Sequence, residues 1–204
     1  KKIKPANPPI PSHPIRLLVT GTHMTKEKVL IPLEAMHILI KRGLNVILDI
    51  FGPSEWPQAK EEITERIKQL KLESFVTQHG KYLQDESSSI YQSGHICIHT
   101  KYMDPSPTTV LSSMASGVPV IGSRSGGVIE LVPPSAGILL EVPISREKLY
   151  YPSAEAVADA VETIMKDWPR WSAGAREQAV KHFDVKGWTN AHEKIFRKVL
   201  NIHE

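Results

Sequence analysis

Asp104, Ser106, Thr108, Thr109 and Ser112 place one carboxylate and four hydroxyls within a few residues of one another. They belong to the stretch from Tyr102 to Glu130, YMDPSPTTVLSSMASGVPVIGSRSGGVIE. The stretch begins as a loop and becomes a helix: Val110, Leu111 and Met114 fall at helical spacing, and Thr108 or Thr109 is placed to cap it. Gly117 stops the helix, with Pro119 two residues on. A buried strand, Val118 to Ile121, leads into a small-residue loop through Gly122, Ser123, Ser125, Gly126 and Gly127. A polar loop thus opens on a helix N-terminus, and a glycine turn lies one strand beyond. Helix N-termini offer unpaired N–H groups and a positive dipole end, so this pattern suits an anion such as phosphate.

Other chemistries lack their residues. No G-x-G-x-x-G follows the first strand, and no G-x-x-x-x-G-K-[ST] or G-x-S-x-G occurs. The nine histidines are dispersed, without metal-ligand spacing. His95 and His99, which flank an apolar strand, read as structural or solvent-facing. Cys97 is the single cysteine, which excludes an internal disulfide. It lies in an apolar run as a small core residue and fits a reducing, cytoplasmic setting. A net charge of +3 over 204 residues, with bases scattered among acids, does not argue for nucleic acid. No apolar run is long enough to span a bilayer.

The elements that must position these groups alternate strand and helix. Strands are expected at Ile15–Thr20, Asn45–Phe51, Phe75–His79, Ile96–His99, Val118–Ile121 and Gly137–Leu140. Helices are expected from about Val29 to Lys41, with Leu33, Met36, His37 and Ile40 on one face, and over Ala59–Leu70, Asp85–Gln92 and Ala154–Lys166, the last capped by Ser153. Two more fill Ser172–His182 and Lys186–Leu200. The second strand is almost wholly apolar, as strands covered on both faces are. The pattern predicts an α/β domain: a Rossmann-like parallel sheet of about six strands wound with helices on both faces. Ligands bind such sheets at the carboxyl ends of the strands. That points to the loops at Gly21, Gly52, Gly80, Thr100 to Pro107, and Gly122 to Gly127. Residues 1–14 are rich in proline and lack glycine, a composition that suits an extended linker ahead of a domain over 15–204.

From Ile15 to about Phe183 the chain resembles the C-terminal, nucleotide-sugar-binding domain of the family 4 (group 1) glycosyltransferases, which have the two-domain GT-B fold. GTHMTKEKVLIPLEA fits the family's G-R-L-x-x-x-K-G-x-x-x-L-L-E-A without a gap. DPSPTTVLSSMASGVPV fits its E-x7-E region, E-G-F-G-L-V-L-L-E-A-M-A-x-G-x-P-V, and Gly126, Gly127 and Glu130 match its G-G-x-x-E.

The resemblance implies roles position by position. Asp104 stands at the first Glu of the family's pair, a catalytic-site carboxylate that meets sugar hydroxyls or the charge developing at the anomeric carbon. Ser112 stands at the second Glu, which holds the donor's ribose hydroxyls, and a serine lacks the charged fork. Thr22 and Glu27 stand where the family grips the diphosphate with Arg and Lys. Lys26, Lys28, Lys101 and Arg124 are the alternative phosphate partners. Ser106, Thr108 and Thr109 match the loop whose N–H groups approach the phosphates, and Gly80, Lys81 and Tyr82 follow the strand beside which the family places the base. Gly21, Gly126 and Gly127 allow close backbone approach, or simply turns.

The implied activity is that of a retaining glycosyltransferase using a nucleoside diphosphate sugar, with no metal or other cofactor. Its acceptor, a glycan, lipid or other molecule, belongs to an N-terminal domain absent from this chain. A donor-binding domain alone is expected to bind without turnover. Peripheral membrane contact is compatible with this reading. The alternative, carried by Ser112, Thr22 and Glu27, is a non-catalytic GT-B domain that serves binding or scaffolding.

Overall fold

The computed structural model describes residues 5–8 and 13–200. Six parallel strands form one sheet: β1 (Ile15–Thr20), β2 (Val46–Phe51), β3 (Val76–Gly80), β4 (Ile96–His99), β5 (Val120–Ser123) and β6 (Gly137–Leu140). Their order is β3-β2-β1-β4-β5-β6. The register runs from Ile15 opposite Val46 to Thr20 opposite Phe51 between β1 and β2, and from Cys97 opposite Val120 between β4 and β5. This is the doubly wound arrangement, and the strand order reverses between β1 and β4. Leu17, Leu18, Val19, Leu48, Ile96 and Ile98 have no more than 1% of their surface exposed, so the central strands are covered on both faces.

The helices are α1 (Glu27–Lys41), α2 (Ala59–Gln69), α3 (Ser87–Gln92), α4 (Thr108–Ala115), α5 (Val128–Leu131), α6 (Ala154–Met165), α7 (Trp168–His182) and α8 (Val185–Val199). α1 packs on α6, where Arg42 reaches Asp159 and Glu162 at 2.7 Å each. α4 packs on α7, whose Arg176 guanidinium donates to the Ala115 carbonyl and so caps the C-terminus of α4. The apolar faces bury as their periodicity requires: Leu33 and Met36 on α1, Ile63 and Ile67 on α2, and Val157, Val161 and Ile164 on α6. The Ser153 side chain accepts from the Ala156 amide, as a capping serine should.

Several boundaries differ from expectation for local reasons. α4 is not capped by Thr108 or Thr109. Pro107 takes the cap position with its φ held at −73°, and its carbonyl accepts from Val110 at 3.0 Å. β5 starts two residues late, at Val120, because Pro119 has no N–H for the ladder, although its carbonyl accepts from Cys97. α7 begins at Trp168 rather than Ser172, because Pro169 fits the first turn of a helix. The short α5 follows the glycine loop, where no element was expected. In the proline-rich segment, residues 1–4 and 9–12 lie outside the described residues. Within its described part Ala6 packs on the domain, its amide donating to the Ser116 carbonyl at 2.6 Å.

Candidate functional site

The reversal of strand order opens a cleft of about 720 Å³ at the carboxyl end of the sheet. Gly21 and Thr22 after β1 and Gly52, Pro53 and Glu55 after β2 form one side. Lys81, Tyr82, Gln84, Ser87 and Tyr91, from the β3–α3 segment and α3, form another. Thr108, Thr109 and Ser112 of α4 close it. The β1 and β2 loops meet backbone to backbone. Gly52 has φ +112°, and a Cβ there would run into the Gly21 carbonyl, so only glycine keeps the two loops together. The cleft is nearly neutral: among the described residues Lys81 is its only cation and Glu55 its only carboxylate, and hydroxyls line much of the rest. Helix α4 points its first turn here, and first-turn amides lack intrahelical acceptors. The Tyr91 hydroxyl is buried and lies 2.8 Å from Thr20 Oγ1, and burial pushes its pKa up. Tyr82 meets Phe51 edge-on, with ring centroids 6.1 Å apart.

Behind this wall lies a buried polar cluster. His99, the last residue of β4, is 2% exposed, with Nε2 3.2 Å from Asp104 Oδ2. The approach is within ion-pair range but lacks hydrogen-bond alignment. Lys101 Nζ reaches the same Oδ2 at 3.1 Å. The His99 ring, and secondarily Lys101, hold the Asp104 carboxyl well below the usual carboxylate range. Burial lowers the pKa of His99, so its ring is neutral near pH 7. Lys28 is 3% exposed and donates to the carbonyls of Thr20 and Thr22 at 3.0 Å each. Its pKa is pushed down to about 8, chiefly by burial. His23 is fully buried, and neither ring nitrogen has a hydrogen-bond partner. Burial, then the Lys28 charge, lowers it to about 3; the Phe51 carbonyl opposes this weakly and is not aligned to bond.

Gly21, Thr22, Lys81, Tyr82, Thr108, Thr109 and Ser112, all expected at the site, come together in the cleft. The other expected residues do not line it. Lys26 turns away to Glu62 at 3.3 Å, and Arg124 pairs with Glu141 at 3.1 Å over a separate hollow. Lys28 is not a solvated lysine but is buried under the β1 loop. Gly80 accepts from the Gly52 amide and anchors the cleft from outside. Ser106 and Glu130 are exposed beyond the rim, and Gly126 and Gly127 pack on the loop at Asp104 and Pro105. Asp104 stands one layer behind the wall, against His99. Sequence reasoning pointed to the loop at Gly52 but missed Glu55, Gln84 and Tyr91 as lining residues, and it read His99 as structural or solvent-facing. The signal for His99 was its place: an ionisable residue ending a fully apolar strand, five residues before a carboxylate. Among the described residues no group of three or more His, Cys, Asp or Glu is placed to hold a metal ion, and no helix is long and apolar enough to cross a membrane.

Sheet order, cleft position and the helix N-terminus facing it define a Rossmann-like domain of the type that forms the C-terminal half of GT-B glycosyltransferases. Residues 14–167 match the family model described as glycosyl transferases group 1, and the chain belongs to that family. No curated protein matches it. Among solved structures it is similar to a glycosyltransferase from Rickettsia africae (TM-score 0.76, 20% identity, 94% of this chain and 49% of that one). It is similar to HepE of Anabaena in complex with UDP and glucose (TM-score 0.73, 18% identity, 94% and 49%). It is also similar to the C-terminal domain of the group 1 glycosyl transferase LpcC from Francisella tularensis (TM-score 0.73, 17% identity, 90% and 97%). The chain thus spans about half the length of the Rickettsia and Anabaena structures and almost all of the LpcC C-terminal domain.

Proposed function

We propose that this chain is the donor-binding, C-terminal half of a family 4, retaining glycosyltransferase that transfers a sugar from a nucleoside diphosphate sugar to an acceptor. The observation that carries this is the cleft at the strand-order reversal, closed by the first turn of α4. Its volume suits a nucleotide sugar, its hydroxyls suit ribose and hexose, and the α4 amides with Lys81 suit the diphosphate. HepE, of the same fold, has been captured with UDP, glucose and UDP-glucose. The donor is a substrate, and the reading calls for no metal or other cofactor. The acceptor, a glycan, lipid or other molecule, is assigned to an N-terminal half of the kind the resemblance implies, and residues 15–204 alone bind donor without turnover. A cytoplasmic setting, with peripheral membrane contact at most, belongs to the same proposal. Asp104 acts from behind the cleft wall, as an ionised carboxylate that organises the loop after β4.

One observation favours a second reading, a non-catalytic binding or scaffold domain. Thr22, Glu27 and Ser112 remove three charged donor contacts, and among the described residues Lys81 alone supplies positive charge to the cleft wall. Calorimetric titration of the chain with UDP, UDP-glucose and a panel of other nucleoside diphosphate sugars separates the two. Saturable binding of one of them supports the donor site. Silence across the panel at millimolar concentration discards it in favour of the scaffold.

A further inference from the structure

One buried imidazole joins two parts of the site, the loop after β4 that carries Asp104 and the first turn of α4. His99 Nε2 lies 3.2 Å from Asp104 Oδ2, close enough to feel its charge though not aligned as a hydrogen bond, and His99 Nδ1 lies 3.4 Å from Thr109 Oγ1. Lys101 holds the same carboxylate from its other side at 3.1 Å. Thr109 stands in the first turn of α4 and on the cleft wall.

Charge decides which ring nitrogen carries the proton. A neutral imidazole has one N–H and one lone pair. A lone pair on Nε2 would face an ionised carboxylate at 3.2 Å, which is repulsive; an N–H in that place is attracted. The proton therefore sits on Nε2, and Nδ1 can only accept. The Thr109 hydroxyl has a single proton, and the partner inside the wall that takes it is Nδ1. What Oγ1 keeps for a ligand in the cleft that Thr109 lines is lone pairs.

We propose that His99 is a positioning residue which, oriented by Asp104, makes Thr109 a hydrogen-bond acceptor for a hydroxyl of the bound ligand. A threonine free to rotate would serve a ligand donor or acceptor equally. This one selects a group that donates, a ribose or sugar hydroxyl, over a phosphate oxygen, which only accepts. The inference rests on the donor-site reading above and adds to it which ligand group meets α4 at this point.

Two measurements on the 204-residue chain test it. Nitrogen-15 NMR of the labelled histidines reads the His99 tautomer without any ligand. The Nε2–H form is expected in the wild type, with that preference lost in Asp104→Ala; an Nδ1–H ring or an imidazolium in the wild type overturns the proposal. Calorimetry with UDP-glucose is then compared for Thr109→Val, which keeps the shape and loses the hydroxyl, and Thr109→Ser, which keeps the hydroxyl. Thr109→Val should bind about threefold to tenfold more weakly, the range for one neutral hydrogen bond, and Thr109→Ser should restore binding. A loss shared by UDP assigns the ribose hydroxyl, and a loss confined to UDP-glucose assigns the sugar. Equal binding by wild type and Thr109→Val overturns this inference alone and leaves the donor site standing. If the wild type binds no nucleoside diphosphate sugar, the donor reading and this ligand assignment fall together.

Discussion

The amide of Gly127 donates to the carbonyl oxygen of Asp104 at 2.8 Å. This bond ties the glycine turn after β5 to the loop that carries the cluster carboxylate. A Cβ on Gly126, whose φ is +61°, would lie 2.6 Å from the same carbonyl, and one on Gly127 would overlap the Pro105 carbonyl. The two glycines therefore allow close approach to the protein's own backbone. Gly127→Ala should cost about 1–3 kcal/mol, the range for overpacking a closed contact. Gly187→Ala is the contrast, since a Cβ there meets nothing within 4 Å and the site is inside a helix. It should be neutral or stabilising by up to about 1 kcal/mol. Urea midpoints compare the two, and similar losses for both would contradict the packing account.

His23→Leu should stabilise the fold, and more so in acid. Two unpartnered ring nitrogens are buried at no gain, and leucine removes both. The pH dependence follows from a folded pKa of about 3 against an ordinary 6.5. Between these values the unfolded chain binds a proton that the folded chain refuses. The wild type therefore loses stability as pH falls through about 6.5, by roughly 1.4 kcal/mol per pH unit in that window. The excess stability of His23→Leu over wild type should grow from neutral pH to about pH 5. A difference independent of pH would show that His23 keeps its charge in the fold.

Lys28 reports in the opposite range. Its folded pKa of about 8 lies below the ordinary 10.5, so the folded state releases its proton first. Its contribution to stability is flat below about pH 8 and rises with pH up to about 10.5. The neutral amine still has N–H groups for the carbonyls of Thr20 and Thr22. Lys28→Met should lack this rise, so the wild-type advantage over the variant should widen across that window. Parallel curves for the two proteins would place the ammonium in solvent rather than beneath the β1 loop.

Much of the frame was legible because parallel sheets are written in apolar runs and helices in period. All six strands fall within two residues of their expected bounds, and Ser153 caps as its position required. The cleft could be placed because loops at strand ends are fixed once the strand order is known. Side-chain destinations were less legible. Lys26 and Lys28 are two residues apart, yet one meets Glu62 in solvent and the other caps carbonyls inside the fold. That difference depends on where α2 packs, a long-range fact. Asp104 and His99 face each other because a loop folds back over β4, and the spacing of five residues does not state that it does.

Ser112→Glu should tighten UDP binding by about tenfold or more, the scale of a charge-assisted hydrogen bond to ribose. Ser112 lines the cleft on α4, so a longer carboxylate there has a path to the nucleoside. Lys81→Ala should weaken UDP by a similar factor, because no other cation among the described residues lines the wall. Calorimetry on the two variants decides whether the ligand lies along α4. Unchanged affinity in both would place it elsewhere.

The last helix should be dispensable for the stability of this domain. No residue of α8 is buried, and Trp188, Ile195, Phe196 and Val199 are each more than half exposed. Residues up to Ala179 of α7, by contrast, pack into the core, with Ala175 fully buried. Apolar surface that stays in water contributes nothing to folding, because the stabilisation scales with area removed from water. Ending the chain after Asp184 should therefore shift the urea midpoint by less than about 1 kcal/mol of stability, the range of surface changes. It should also improve solubility by removing an exposed apolar stripe. Ending it after Asp167 should unfold the domain, since Trp168, Trp171 and Ala175 go with it. A large loss on removing α8 alone would mean that its apolar face is covered in solution, and a dependence of that loss on protein concentration would identify a second copy as the cover.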